Sequence, residues 1–168
     1  MDSKPTPKQG TEKETLMGFL NLNRAVMVWK LEGVSDEDAR RPMVDSGTHL
    51  IGLIKHLAWV ERWWFEDVFA GLPSPSYPWS DEDPDADFRA EPEDTVAGVI
   101  AMYEEHVASV NDIIDESGLD QLAVRDRNGL HYSLRWIVGH MIEETARHAG
   151  HADIIRELID GRTGYLPS

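Results

Sequence analysis

SLRWIVGHMIEETARHAGHADIIRELIDG, residues 133–161, is the stretch on which the fold turns. It contains no proline, and Ser133 is placed to cap a helix that runs to about residue 160. Its middle, HMIEETARHAGH at 140–151, packs three histidines, two glutamates and an arginine into twelve positions. At about 100° per residue, His140, Glu144, His148 and His151 fall within an arc of about 80° and share one face, with Ile137, Met141 and Ile155 beside them. The polar row therefore lies along the edge of a core-facing stripe.

Working outward, three further segments have the same character. Thr11 and Glu14 have the spacing of a capping box, and Leu16, Phe19, Leu20, Val26 and Met27 recur at helical intervals, which predicts a first helix over about 11–31, ended by Gly33. Ser35–Arg41 reads as a short helical turn before Pro42. SGTHLIGLIKHLAWVERWWFEDVFAG, 46–71, predicts a second long helix over about 47–70 that stops at Gly71 and Pro73. A third fits 93–117, where Val96, Val99, Ile100, Tyr103, Val107, Val110 and Ile114 form the stripe and Gly118 closes it. Between the second and third lies LPSPSYPWSDEDPDADFRAEP, 72–92, with five prolines and a block of acids, expected to be a long solvated connection. Asn128–Gly129 marks a small turn before the last helix. Four long amphipathic segments with almost no strand signal predict an all-α four-helix bundle. Residues 1–10 are expected to form a flexible tail and 11–168 a single helical domain.

Composition narrows the function classes. The chain has 31 acidic and 16 basic side chains and a net charge of −15, which would repel a phosphate backbone, so nucleic acid and anionic membranes are poor partners. No apolar run is long enough to span a bilayer, and MDSKPTPKQGTEKE lacks the apolar core of a secretory signal, so the cytoplasm is the expected location. The absence of cysteine removes disulfides, a cysteine nucleophile and cysteine-ligated metals.

On the second helix His49 and His56 are seven apart, nearly superimposed, with Trp63 one heptad on and Leu50, Leu53 and Val60 beside them. Two helices thus each offer a histidine row. A buried carboxylate without a partner destabilises a fold, whereas a divalent cation satisfies it and keeps imidazoles neutral. One Glu and two His from facing helices would match the His₂Glu set of catalytic zinc sites, which leaves a position for water or substrate. Paired Glu-x-x-His motifs and His-Glu-x-x-His are both absent, which excludes the di-iron bundles and the zincins. Within the last helix, Glu144 with His148 and His148 with His151 are both possible ligand pairs, and spacing does not choose between them. The same residues also describe an ordinary solvated helix face. Trp59, Trp63 and Trp64 fit core packing or the wall of a substrate pocket.

Taken together, SGTHLIGLIKHLAWVERWWFEDVFAG and SLRWIVGHMIEETARHAGHADIIRELIDG resemble the DinB-like superfamily, in particular its actinobacterial mini-circle branch, over about residues 15–162, with RHAGHADIIRE the most specific string. The resemblance implies an up-down-down-up bundle with a long crossover, commonly a homodimer. It implies a metal held by His56, Glu144 and His148, where Glu144 replaces the usual first histidine of a His-x-x-x-His pair. The related mycothiol-dependent maleylpyruvate isomerases are similar in using Glu there. His151, and beyond it Asp153, then fall beside the ligands or on the substrate side, with His151 or Arg147 orienting the incoming group.

Three functions follow as expectations. The first is S-transfer or thiol-assisted isomerisation with a low-molecular-weight thiol of the mycothiol or bacillithiol type, since a metal holds a thiol as thiolate and the protein needs no cysteine of its own. The second is a metal-dependent hydrolase, for which His49, His140 or Glu143 would be the general base. The third is a non-enzymatic metal-binding stress-response protein, whose closed site would take His151 or His49 as a fourth ligand. Zn²⁺ is the expected ion, and the ligand set also suits Ni²⁺, Fe²⁺ or Mn²⁺.

Overall fold

The computed structural model describes residues 5–73 and 76–164. Residues 1–4 of the expected tail, 74 and 75 of the expected connection, and 165–168 of the expected domain lie outside the described residues.

Each long helix begins where a side chain takes up an orphan backbone donor. α1, Glu12–Leu31, opens with the full Thr11–Glu14 capping box. α2, Asp36–Arg40, is the short turn, capped by Ser35. α3, Leu50–Arg62, is capped by the His49 side chain, and α4, Val96–Glu116, by Thr95. α5, Leu134–Asp160, is capped by Ser133 and ends at left-handed Gly161. Predicted boundaries hold to within three residues, but His49 stands before α3 as its cap and is not part of a histidine row on it.

The second predicted helix is not uniform. After Arg62 it widens into a π-helical segment, Trp63–Phe69. The wider turn brings Trp64, Phe65, Val68 and Phe69 all to the core, which a regular α-helix of that sequence would spread over a broader arc. The crossover also holds structure of its own: Ala86–Phe88 makes a single 3₁₀ turn.

Cross-helix contacts give the connectivity. Lys55 meets Asp94, Glu61 meets Tyr103 and Glu66 meets Ser109, so α3 and α4 run parallel. Glu12 pairs with Arg135 and Lys30 with Asp153, so α1 and α5 are parallel as well. His56 faces His148 while Trp64 faces His140, which makes α3 and α5 antiparallel. The result is an up-down-down-up bundle in which the 72–92 segment makes the crossover. One core cluster joins Val26, Met27 and Leu31 to Leu50, Ile51, Leu53, Ile54, Leu57, Tyr103 and Ile155; the other joins Leu20 to Trp64, Phe65, Val68 and Phe69 of the π segment, Ile114, Ile137 and Met141. Phe19, expected in the apolar stripe of α1, is 48% exposed, whereas Arg24 and Lys30 of the same helix are fully buried. Arg24 is buried because Glu61, Asn21 and Asn111 take up its guanidinium. No helix among the described residues is long and apolar enough to cross a membrane.

Candidate metal centre

Antiparallel α3 and α5 bring three side chains together. The ligating atoms of His56, Glu144 and His148 all lie within 4.8 Å of one another. Glu144 Oε1 is 3.4 Å from His56 Nε2 and 3.2 Å from His148 Nε2. Ligands about 2.0–2.1 Å from a tetrahedral cation stand about 3.3–3.4 Å apart, so two edges of the triangle have the length a shared ion requires.

The far side of each ring is also occupied. His56 Nδ1 faces Asp87 Oδ2 at 2.8 Å, and Asp87 is only 2% exposed. His148 Nδ1 faces His151 Nδ1 at 3.4 Å. A proton on His56 Nδ1 donated to Asp87, and one on His148 Nδ1 donated to His151, leave both Nε2 lone pairs turned toward the Glu144 carboxylate. That arrangement sets three acceptors face to face, which repels unless a cation or a proton lies between them. The donor set therefore fits a divalent ion. Phe88 stacks on His56 with centroids 3.9 Å apart, so the imidazole is clamped by a ring on its face and a carboxylate at its edge.

The electrostatics match. Burial opposes ionisation of Glu144, yet when the imidazoles of His56 and His148 turn protons toward it in place of a cation, their hydrogen bonds and charge outweigh burial and hold its pKa below the usual carboxylate value. Burial, and then the neighbouring His56, depress the pKa of His148 against the pull of Glu144, which keeps that imidazole neutral and available to a metal.

The other expected residues lie elsewhere. His151 is exposed and meets the cluster only through His148. Arg147 points to solvent and pairs with Glu143 at 2.9 Å. Asp153 pairs with buried Lys30. His49 Nδ1 accepts the Gly52 N–H at 2.9 Å, and His140 packs between Trp64 and Trp136.

Asp87 is the residue that sequence reasoning missed, because it sits in an acidic run expected to be solvated. One signal was present. Gly52 interrupts an apolar helix, and a Cβ there would lie 2.2 Å from the Phe88 carbonyl oxygen. A glycine inside a helix often marks a backbone brought close; here it lets the 86–88 turn settle on α3 and deliver Asp87 to His56.

Residues 15–161 match the family model described as mycothiol-S-transferase. In fold the chain is similar to a crystal structure of a conserved protein from Enterococcus faecalis, with a TM-score of 0.61 at 15% identity, covering 92% of this chain and 100% of that one. No curated protein matches the chain.

Proposed function

The chain belongs to the mycothiol-S-transferase family of DinB-like proteins, and from that premise we propose that it transfers the sulfur of a low-molecular-weight thiol to an electrophile at a divalent-metal centre. The observation that carries this reading is the convergence of His56, Glu144 and His148 in a chain that has no thiol of its own. When bound, a divalent cation, with Zn²⁺ the best match to two imidazoles and one carboxylate, holds a thiol as its nucleophilic thiolate near neutral pH.

The chain's own residues do the rest. His56 and His148 present Nε2, and Asp87 and His151 hold their Nδ1 protons outward, which fixes the tautomers. Glu144 contributes the single negative charge, so the ligand set is less cation-neutralising than one rich in carboxylates or thiolates. With three protein ligands a fourth position remains for the thiol. In the transfer, a sulfur–carbon bond forms as the bond to the leaving group breaks; the leaving group departs with the electron pair and the thiol proton goes to solvent. His151 Nδ1, which accepts the His148 Nδ1 proton, is thereby engaged in holding that tautomer and does not take up the thiol proton.

The test is metal analysis of the purified protein together with loss of a haloarene in the presence and absence of mycothiol, for wild type and His148→Ala. One divalent ion per chain and thiol-dependent consumption, both lost in the variant, are expected. A metal-free protein, or consumption that proceeds without thiol, overturns the proposal, and the latter outcome would indicate metal-assisted hydrolysis.

A further inference from the structure

Beside the cluster lies a cavity of ≈ 260 Å³ that shares His56 and Asp87 with it and is otherwise walled by Val60, Trp63, Trp79, Pro84 and Arg127. Nothing in the metal chemistry uses Trp63, Trp79 or Arg127. Resting on the reading of the His56–Glu144–His148 cluster as a transfer centre, we infer that this cavity is the electrophile's subsite and selects a planar ring carrying an anionic group, which Arg127 recognises.

Local structure builds the position of Arg127. Asn128 and Gly129 both have positive φ, 53° and 77°, the conformation of a two-residue type I′ hairpin turn. Arg127 and Leu130 exchange both backbone hydrogen bonds across it, at 2.9 and 3.1 Å. The same segment is tied to the end of the π helix, where the Val124 and Arg125 N–H groups donate to the Phe69 and Val68 carbonyls. The hairpin thus holds the Arg127 guanidinium 4.4 Å above the Trp63 ring and 5.3 Å from that of Trp64.

The charge of Arg127 is unspent. In this acid-rich chain Arg24, Arg62, Arg89, Arg125, Arg135 and Arg156 each pair with a carboxylate. Among the described residues none pairs with Arg127, whose side-chain partners are the two indole faces. A guanidinium stacked on an indole keeps N–H groups free to donate to a carboxylate or similar anion. Trp63 and Trp79, with ring centroids 6.4 Å apart and nearly perpendicular, supply flat apolar walls for a ring. The cavity at His151 is walled by Val44, Ser46, Thr48, Ile154 and Ile155 and has no lysine or arginine in its lining, whereas the cavity that His56 itself lines has Arg127.

The probe is calorimetric binding of para-nitrobenzoate and its neutral isostere para-nitrobenzamide to the zinc-loaded protein. Wild type is expected to bind the benzoate on the order of tenfold more tightly, the ratio a hydrogen bond to a charged group supports. Arg127→Gln should bring the two affinities together by weakening only the benzoate, and Arg127→Lys should keep part of the preference. Trp79→Leu should weaken both ligands alike. In wild type the preference should shrink as salt is raised, and it should persist in the metal-free protein. Equal affinities in wild type, no binding of either probe, or a preference untouched by Arg127→Gln overturns the inference. So does a preference that disappears with the metal, since the benzoate would then be bound by the cation. Thiol transfer is measured separately: discrimination without thiol-dependent turnover leaves the subsite standing and removes the transfer reading, whereas thiol-dependent turnover without discrimination does the reverse.

Discussion

Two polar clusters lie between the helices of this bundle, and each is centred on a glutamate. At Glu61 both oxygens are met: Arg24 Nε donates to Oε1 at 3.1 Å and Nη2 to Oε2 at 2.5 Å, and the Tyr103 hydroxyl donates to Oε1 at 2.9 Å. Arg24 Nη1 is taken up in turn by Asn21 and Asn111, and neither Arg24 nor Glu61 has any exposed surface. At Glu144 the neighbours are two imidazoles, and as neutral rings both can donate to it only by giving up their bonds to Asp87 and His151. A structural carboxylate is matched with a permanent cation and closed off; the carboxylate at the candidate centre is left short of positive charge beside a cavity. Burial alone does not distinguish them. The type of partner does.

The sharpest way to break this contrast is to remove one partner from each cluster and see which property fails. His148→Ala should take the metal content from one ion per chain to none, the largest effect, while the metal-free protein unfolds in urea close to wild type. Arg24→Ala should do the opposite. It leaves Glu61 buried and unpaired, which costs about 3–5 kcal/mol in urea unfolding, yet the fraction that remains folded should bind metal with wild-type stoichiometry. If Arg24→Ala emptied the metal site, or His148→Ala destabilised the metal-free chain as much as Arg24→Ala does, the two clusters would be a single network and the distinction would fail.

Asp87 sharpens the comparison at the next scale. It touches no ion in the proposed site; it orients His56. Asp87→Asn should weaken metal binding by about 10–100-fold, read by competition with a chelator, with the stoichiometry preserved. Gly52→Ala should act in the same direction without changing any polar group, because the new methyl displaces the Phe88 carbonyl and the turn that carries Asp87. Wild-type affinity in both variants would mean that the ring stacking of Phe88 suffices to hold His56.

This difference between the clusters also explains what could be read in advance. Helix number and order were legible because Thr11–Glu14, Ser133 and the closing glycines act locally, and the Asn128–Gly129 turn for the same reason. Glu144 and His148 are one turn apart on a single helix, so their shared face follows from helical geometry, and His56 joined them through the superfamily resemblance. The closed cluster had no such signature: Arg24, Glu61 and Tyr103 come from three helices, and α1 buries Arg24 and Lys30 on a surface whose sequence is only weakly amphipathic. Asp87 was hidden for a related reason. Composition marks its segment as solvated, and only the approach of the 86–88 turn to Gly52 buries it. The π-helical phase shift after Arg62, which places the tryptophans, likewise reflects packing against α4 and the hairpin.

The smallest effect concerns pH and separates the histidines that hold the fold from those proposed to hold the metal. His49 accepts the Gly52 N–H through Nδ1, so protonation there abolishes the cap of α3; burial, and then the charge of Lys55, lower its pKa. His106 is lowered chiefly by burial, with its Nδ1 toward the Ala58 carbonyl and its Nε2 toward Arg62. Both bind a proton less readily folded than unfolded, where histidine titrates near about 6.5. Above that value neither group affects stability through protonation. As the pH falls below it the unfolded chain takes up protons first, so stability declines until the lower folded pKa values are reached. Urea midpoints of the metal-free protein should therefore fall between about pH 7.5 and 5.5, where histidine rather than carboxylate titration dominates. His49→Asn keeps a capping oxygen and removes the titrating ring, so it should flatten part of that decline, by no more than the value of a helix cap, about 1 kcal/mol. A decline that persisted in full with Asn at 49 would move the acid-sensitive step to His106 or to the His56–Glu144–His148 cluster, and the cap would then make no pH-dependent contribution.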